Sequence, residues 1–193
     1  MVYIINGHPN SGKSYFARKC VEMIGDENAK IFSTVDTTKS IAKSLGWNGT
    51  KTDKDRWFLS ELKRLTKEWK DFPFQEAKKK IDDYNFQWKI LGKDLRKTAV
   101  FIMSREPDEI ARFENELGAK SIFLMSPNED TNFSNDSDAN VANHDYDYII
   151  ANPMNDEIIQ AIDEFLEKER LYYLPERKQK NKIYIQMLKG AKE

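Results

Sequence analysis

The chain has 193 residues, of which 39% are hydrophobic and 33% are charged, and its 31 Lys and Arg residues nearly balance its 32 Asp and Glu residues. A chain of this length predicts one domain with room for a substantial core. The formal net charge of -1 gives no polybasic signal for nucleic acid or for a membrane surface. No apolar run approaches the ~20 residues that a membrane-spanning helix requires.

The chain contains a single cysteine, Cys20, which excludes an intramolecular disulfide framework. Since no signal peptide is recognisable either, the sequence predicts a cytoplasmic protein. Cys20 lies among apolar neighbours on a predicted helix, so a buried packing role is favoured over that of a nucleophile.

The most informative stretch is Gly7-His8-Pro9-Asn10-Ser11-Gly12-Lys13-Ser14, which fits the phosphate-binding pattern G-x-x-x-x-G-K-[ST]. A short β-rich run, 2–5, precedes it, and a helical pattern that stops at Gly25 follows. This order of strand, loop and helix is the one that the motif requires.

The chemistry of this motif needs its particular residue types. Gly7 and Gly12 allow consecutive backbone N–H groups to turn inward and form an anion-binding nest. Lys13 is the expected partner of the β- and γ-phosphates, and the Ser14 hydroxyl is the expected ligand for Mg²⁺. The sequence therefore predicts a site for a nucleoside triphosphate at the start of the first helix.

The second predicted strand, 30–35, leads into Asp36 and a helical pattern that ends at Gly46. Asp36 is a candidate N-cap for this helix. Alternatively, Asp36 or Lys39 contacts an acceptor substrate, because ligands in open α/β sheets bind beyond the carboxyl ends of the strands.

A helical insertion follows, over about 46–95. It consists of a turn-rich connection, 46–53, and two helical patterns, 54–69 and about 75–91, which are separated by a break at 71–74. This insertion is too large for a simple crossover and predicts a substrate-binding subdomain. Arg56 and Arg64 flank the apolar stripe of its first helix, and each is either a solvated arginine or a ligand for phosphate.

The run 98–103 is nearly continuously apolar, which is typical of a central parallel strand. Polar residues follow it directly. Arg105 is a candidate phosphate ligand, and Glu106 is a candidate to act through Mg²⁺ or to bind a substrate hydroxyl. The structural alternative is that Ser104 caps the helix that begins at Pro107, and both interpretations can hold together.

The rest of the chain completes an alternating pattern. A helix to about 117 and a fourth strand, 121–125, precede a polar segment, 126–145, which is a candidate lid or disordered loop and in which His144 is expected on the surface. A fifth strand, 146–151, a helix, about 155–170, and a polar C-terminal extension, 171–193, follow. Five strands alternating with helices predict an α/β, P-loop NTPase-type three-layer sandwich with a parallel sheet and right-handed crossovers.

Three features favour a small-molecule kinase, with its domain over 1–170. The chain is short, it has the helical insertion after strand two, and it lacks both a guanine-reading Asn-Lys-x-Asp and an apolar run that ends in a Walker B aspartate. Phosphoryl transfer needs mainly positioning and charge neutralisation, which Mg²⁺, Lys13 and the arginines Arg56 and Arg105 would supply. The expected partners are ATP and a small phosphorylated acceptor, and the oligomeric state stays open, with a homodimer as one option.

Several segments together resemble the bacterial and phage (deoxy)nucleoside monophosphate kinase group of P-loop kinases, over roughly residues 1–168. The segments are 7–14, 32–36 with Lys39, 46–49, 55–62, 104–110 and 146–152. The resemblance implies an ATP site formed by Gly7, Asn10, Ser11, Gly12, Lys13, Ser14 and Tyr15, with Asn152 and Pro153 near the base. It also implies that the acceptor monophosphate binds between Asp36, Lys39, Arg56 and Arg105, with Arg64 and Glu106 as further candidates.

The chain departs from adenylate kinases of this class in one respect. Adenylate kinases carry an arginine-rich lid, whereas residues 126–145 contain no Lys or Arg. The catalytic cations must then come from elsewhere, and the candidates are Arg56, Arg64, Arg105 and Arg112. The acceptor therefore stays open, with a non-nucleotide acceptor, as in phosphomevalonate kinases, and a nucleotide-binding regulatory module with little turnover as the alternatives.

Overall fold

The fold is an α/β arrangement around a parallel sheet. The computed structural model describes residues 1–127, 141, 144–171, 179 and 186. In this part of the chain, five strands form one parallel sheet in the order β2-β3-β1-β4-β5. The strands are β1 (Val2–Asn6), β2 (Ala29–Ser33), β3 (Ala99–Met103), β4 (Lys120–Met125) and β5 (Tyr148–Ala151). The α/β class and the parallel five-stranded sheet that the sequence predicts are thus confirmed.

Helices connect the strands. Those described are α1 (Lys13–Ile24), α2 (Asp36–Ser44), α3 (Asp53–Lys70), α4 (Phe72–Ile90), α5 (Pro107–Leu117) and α6 (Ile158–Lys168), with a short 3-10 helix at Leu95–Lys97. None of these helices is long and apolar enough to cross a membrane. Most of the predicted segment 126–145 and of the predicted extension 171–193 lies outside the described residues.

Strand β1 is central and sets the position of the loop that follows it. Its residue Ile5 is in register with Met103 on β3, and Asn6 is in register with Phe123 on β4. Because all strands run in the same direction, the carboxyl ends of β1, β3 and β4 meet at one edge of the sheet. The loop between β1 and α1 therefore begins at this edge.

The core fills both faces of the sheet. Tyr3 and Ile5 point to the face that α1 and α6 cover, and the Tyr3 ring stacks at 5.4 Å on Phe101 and meets Phe165 edge-on at 5.3 Å. Successive strand residues alternate between faces, so Ile4 points to the opposite face, where α5 packs against β1 and β4. Cys20 is fully buried on α1, as the sequence predicts, and burial raises the pKa of its thiol.

Residues 1–31 with 88–193 form one compact unit, and residues 32–87 form a second. Within the second unit, α2 contacts α3, and the side chain of Thr52 caps α3 in a reciprocal capping box with Asp55. The predicted break at 71–74 is confirmed only at Asp71, which has φ 52° and separates α3 from α4, and α4 begins at Phe72 and not at about Gln75. Pro73 lies in the first turn of α4, where its missing N–H has no helical partner to lose.

The predicted second strand, 30–35, is too long at its end. The β-branched residues Thr34 and Val35 favour a strand, but β2 stops at Ser33. The reason is that the carboxylate Oδ2 of Asp36 accepts a hydrogen bond from the Ser33 backbone N–H over 2.7 Å, which turns the chain into α2. The N-cap position of α2 is Val35, so the predicted N-cap role of Asp36 is also wrong.

Candidate functional site

The loop from Gly7 to Ser14 connects the end of β1 to the first turn of α1 and requires glycine at both ends. Gly7 has φ 149° and Gly12 has φ 84°. A Cβ atom on Gly7 would lie 2.4 Å from the Leu124 carbonyl oxygen, and one on Gly12 would lie 2.3 Å from Nδ2 of Asn152. Both contacts are far inside van der Waals distance, so glycine is needed here for close packing as well as for backbone freedom.

The side chain of Lys13 lies over this loop. Its ammonium nitrogen Nζ donates hydrogen bonds to the carbonyl oxygens of Gly7 and His8, each over 2.6 Å, and to Oγ of Ser11 over 3.3 Å. Lys13 is also the first residue of α1, where the helix presents its unpaired N–H groups and the positive end of its dipole. A positive charge beside the N-terminus of a helix makes a site that suits a phosphate group.

The next two residues of the helix face outward. Ser14 is exposed, and its hydroxyl oxygen Oγ lies 3.6 Å from the thioether sulfur Sδ of Met103, the last residue of β3. An exposed hydroxyl at this position offers one oxygen ligand, which fits a Mg²⁺ ion that arrives with phosphate oxygens. Tyr15 is 37% exposed, and the ammonium of Lys19 lies 5.9 Å from its ring centroid.

Two buried asparagines hydrogen-bond to the backbone of the loop, one at Gly7 and one at Ser11, and the first of them, Asn6, was not among the predicted site residues. Its Oδ1 accepts a hydrogen bond from the Gly7 N–H over 2.8 Å, and its Nδ2 donates to the Tyr146 hydroxyl over 2.8 Å. The same Nδ2 lies 3.4 Å from the Arg105 carbonyl oxygen. One signal for Asn6 exists in the sequence, since it is a polar residue at the end of an otherwise apolar strand.

The hydroxyl of Tyr146 extends this network. It donates to the Val141 carbonyl oxygen over 2.5 Å while it accepts from Asn6. Burial raises the pKa of Tyr146 to about 12 against the opposing effect of the Asn6 hydrogen bond. The hydroxyl therefore keeps its proton at neutral pH, and the network stays intact.

The second asparagine, Asn152, follows β5 and is only 3% exposed. Its Nδ2 donates to the Ser11 carbonyl oxygen over 2.9 Å, and its Oδ1 accepts from the Met154 N–H over 3.0 Å. The resemblance implies that Asn152 and Pro153 lie near the nucleotide base. In the structure the Asn152 amide contacts the loop backbone, and Pro153 is half-buried beside it; their predicted place near the base stays a prediction.

At the end of β3, the structure corrects one expectation. Ser104 does not cap α5, because the N-cap is Glu106 and makes no side-chain capping bond. Instead the Ser104 hydroxyl donates to Oε2 of Glu109 over 2.7 Å, and both side chains are buried. Pro107 is the first residue of α5, as the sequence predicts. Arg105 is exposed and Glu106 is half-buried, so both are accessible beside the loop.

The remaining candidates, Asp36, Lys39, Arg56 and Arg64, belong to the second compact unit. Arg56 and Lys39 are exposed. Arg64 is held on its own helix, where its guanidinium pairs with Glu61 at 2.9 Å and with Glu68 at 2.8 Å. Asp36 is occupied by its hydrogen bond to the Ser33 N–H.

His144 does not lie on the surface as expected. Its side chain is 11% exposed, and its Nε2 lies 3.0 Å from Oε1 of Glu114. Its ring also meets Tyr146 at 4.9 Å. Arg112, another candidate cation, pairs with Glu116 over 2.6 Å. Among the described residues, no group of three or more His, Cys, Asp or Glu side chains is arranged to hold a metal ion.

Fold and loop together define an α/β protein with a glycine-bounded loop between its first strand and first helix. No protein-family model and no curated protein matches the chain. A candidate kinase from Chloroflexus aurantiacus j-10-fl is similar in structure with a TM-score of 0.39 and 12% identity, over 65% of this chain and 59% of that protein. An unliganded sugar kinase from Janibacter sp. HTCC2649 is similar with a TM-score of 0.40 and 16% identity, over 86% of this chain and 92% of that protein. Likenesses this distant carry no weight for activity or substrate.

Proposed function

We propose that this protein is an ATP-dependent small-molecule kinase that transfers the γ-phosphoryl group of ATP to a (deoxy)nucleoside monophosphate. One observation supports this proposal above all others. The Gly7–Ser14 loop matches the phosphate-binding pattern, and it holds the Lys13 ammonium within hydrogen-bond distance of the Gly7 and His8 carbonyl oxygens, at the N-terminus of α1.

Each part of the loop has a defined role in this proposal. The backbone N–H groups of the loop and the first turn of α1 would bind the β-phosphate, and Lys13 would exchange part of its carbonyl contacts for phosphate oxygens. Ser14 would hold Mg²⁺, which neutralises charge on the phosphates when it is bound. Asn6 and Asn152 hold the loop in position through their hydrogen bonds to Gly7 and Ser11.

The transfer itself needs further positive charge near the γ-phosphoryl group. A bond forms between an acceptor oxygen and phosphorus while the bond to the β–γ bridging oxygen breaks, and negative charge is spread over the transferred group. Arg105 is the candidate cation on the first unit, because it is exposed directly beyond β3 and its carbonyl oxygen is anchored to Asn6. We assign it to the stabilisation of this charge.

The acceptor phosphate is assigned to the second unit. Arg56 is exposed in the first turn of α3, where the helix N-terminus also favours an anion. Lys39 is likewise exposed on α2. Arg64 is less suited, because Glu61 and Glu68 already neutralise its guanidinium. Arg56 and Lys39 are therefore the principal acceptor ligands in this proposal.

The proposal is tested by ADP release from ATP and Mg²⁺ against a panel of all ribo- and deoxyribonucleoside monophosphates. Acceptor-dependent turnover with one or two of them is the expected result. The control for contaminating kinases is Lys13→Ala, which should abolish turnover, and its matched variant is Lys19→Ala. Lys19 lies on the same helix, where its ammonium pairs with Glu22 at 2.8 Å and not with the loop carbonyl oxygens that Lys13 contacts, so its loss should leave turnover intact.

Two other outcomes are informative. Turnover confined to a non-nucleotide phosphorylated acceptor would support the kinase activity and contradict the proposed nucleotide acceptor. ATP binding with no turnover on any acceptor would contradict the kinase proposal and leave a nucleotide-binding regulatory module.

A further inference from the structure

The sulfur atom of Met154 lies against the Gly7–Ser14 loop. Its Sδ is 3.2 Å from Nδ2 of Asn152, and it would be 3.7 Å from a Cβ atom placed on Gly12. The nitrogen Nδ2 of Asn152 also donates a hydrogen bond to the Ser11 carbonyl oxygen over 2.9 Å. One side-chain amide therefore contacts both the loop backbone and a thioether.

The backbone holds Met154 in this position. Its φ is 62°, in the left-handed region that residues other than glycine rarely adopt. Its N–H donates to Oδ1 of Asn152 over 3.0 Å, which closes a turn at 152–154. Because the same asparagine contacts the backbone and the sulfur of Met154, a chemical change at the sulfur acts directly on Asn152.

Met154 is accessible to small reagents in solution. It is 49% exposed, and no methionine among the described residues is more exposed. Met125, at the end of β4, is similar with 45%. The thiol of Cys20 is fully buried, so the sulfur beside the loop is open to an oxidant that does not reach the cysteine.

Oxidation would change the hydrogen bonding of this sulfur. A lone pair of the thioether attacks one oxygen of a peroxide, the O–O bond breaks, and the other oxygen leaves with a proton as water or an alcohol. The sulfur loses two electrons, and the peroxide gains them. A thioether sulfur is only a weak acceptor, whereas the sulfoxide is polar and carries an additional oxygen atom. That oxygen is a strong acceptor next to the Asn152 amide.

We propose that Met154 is a reversible oxidation site that controls the Gly7–Ser14 loop, with peroxides as the class of oxidant. In the thioether form, Asn152 keeps its hydrogen bond to the Ser11 carbonyl oxygen. In the sulfoxide form, the new oxygen competes for the Asn152 N–H groups and draws them away from Ser11, which loosens the loop. Methionine sulfoxide reductases, one for each sulfoxide epimer, reverse the change. The effect on ATP affinity rests on the proposed function, whereas the effect on stability does not.

The test compares the protein before and after limited treatment with hydrogen peroxide, and mass spectrometry of its peptides locates each sulfoxide. Oxidation of Met154 should lower the affinity for ATP about two- to tenfold, which corresponds to the loss of one hydrogen bond. It should also lower the free energy of unfolding in urea. Both sulfoxide reductases together should restore the two values.

Two leucine variants separate Met154 from the other methionines. Met154→Leu keeps the apolar volume without an oxidisable sulfur, so peroxide should change neither its ATP affinity nor its stability. Met125→Leu is the matched control, because it retains Met154 and should respond to peroxide as the wild type does. Met154→Gln tests the same contact without an oxidant. It places a permanent amide oxygen at this position and should bind ATP more weakly than Met154→Leu does.

Three results would overturn the inference. Met154 could stay a thioether at a peroxide concentration that oxidises Met125. Met154 could become a sulfoxide while ATP affinity and the free energy of unfolding both stay unchanged. Finally, Met154→Leu could lose as much affinity and stability under peroxide as the wild type, which would assign the effect to another residue.

Failure of the proposed function gives a different pattern. If the untreated protein does not bind ATP, the proposed nucleotide site is contradicted, and the loss of stability on oxidation of Met154 still tests the inference. A flat acceptor panel with intact ATP binding contradicts the kinase activity alone, and both measurements on the oxidised protein keep their meaning.

Discussion

The side-chain amide of Asn152 donates a hydrogen bond to the carbonyl oxygen of Ser11 over 2.9 Å, across 141 positions of sequence. This bond connects the end of strand β5 to the middle of the Gly7–Ser14 loop. Asn152 is only 3% exposed, so the bond is shielded from water. The loop conformation is therefore fixed partly by a residue that is remote in sequence, and removal of this residue is a direct test of the site.

Asn152→Ala should weaken ATP binding and lower stability together. The change leaves the Ser11 carbonyl oxygen without this donor in a buried position, which costs about 1–3 kcal/mol. Calorimetric titration with ATP and urea unfolding measure the two effects. The matched control is Asn115→Ala on α5, which is exposed and should change neither by much. An Asn152→Ala protein with wild-type ATP affinity would show that the loop keeps its shape without this bond.

Gly7 and Gly118, both of which have positive φ, should differ sharply in their response to substitution by alanine. At Gly118, φ is 59° and a Cβ atom would meet nothing within 4 Å, so the cost is the left-handed backbone alone, about 1–2 kcal/mol. At Gly7 the Cβ atom would also lie 2.4 Å from the Leu124 carbonyl oxygen, which belongs to the backbone and cannot rotate away.

We therefore expect Gly7→Ala to reduce the free energy of unfolding more than Gly118→Ala does, and to abolish ATP binding, which Gly118→Ala retains. Urea unfolding and ATP titration of both variants check this. Equal destabilisation of the two variants would mean that the loop relaxes around the added methyl group.

A buried carboxylate at the opposite edge of the sheet makes stability depend on pH. Glu169 is 4% exposed at its side chain and accepts hydrogen bonds from Lys120 Nζ at 2.8 and 2.9 Å, from Tyr3 at 2.8 Å and from Tyr148. Burial alone would raise its pKa, but the Lys120, Tyr148 and Tyr3 hydrogen bonds outweigh burial and lower it from the ordinary value of 4.5.

Because the pKa of Glu169 is lower in the folded than in the unfolded protein, its contribution to stability is present above pH 4.5 and is lost as the pH falls through the folded value. Glu169→Gln should destabilise the protein at pH 7 and flatten the decline in the unfolding midpoint that begins as the pH falls below 4.5. Glu164→Gln on the exposed face of α6 is the control. A decline as steep in Glu169→Gln as in wild type would assign the acid sensitivity to other groups.

Some parts of this structure follow from local sequence and others do not. The order of strand, loop and helix around Gly12 and the buried run of β3 could be predicted, because motif spacing and unbroken apolarity act over a few residues. The partners of Asn6 and Asn152 could not, since hydrogen bonds across the sheet depend on which strands become neighbours. The end of β2 was predicted two residues too late. The hydrogen bond from the Ser33 N–H to the Asp36 side chain competes with the strand propensity of Thr34 and ends the strand at Ser33.

Arg56 and Arg64 on α3 provide the sharpest test of the acceptor site, because they share a helix and differ in their surroundings. Arg56 is exposed in the first turn, whereas Arg64 pairs with Glu61 and Glu68. Arg56→Ala should raise the KM for the acceptor on the order of tenfold or more, since a charge-assisted contact to phosphate contributes about 1.5–3 kcal/mol. Its unfolding free energy should stay close to that of wild type.

Arg64→Ala should show the opposite pattern, with its effect on the free energy of unfolding and not on the KM for the acceptor. Loss of its two exposed ion pairs should lower the free energy of unfolding only slightly, because water and salt screen such pairs, and the KM for the acceptor should hardly change. Steady-state kinetics with the best acceptor of the panel, together with urea unfolding of both variants, separate the two effects. If Arg64→Ala carries the larger change in KM, the guanidinium of Arg64 must leave Glu61 and Glu68 to bind the acceptor, and the order of the two arginines in the proposed site is reversed.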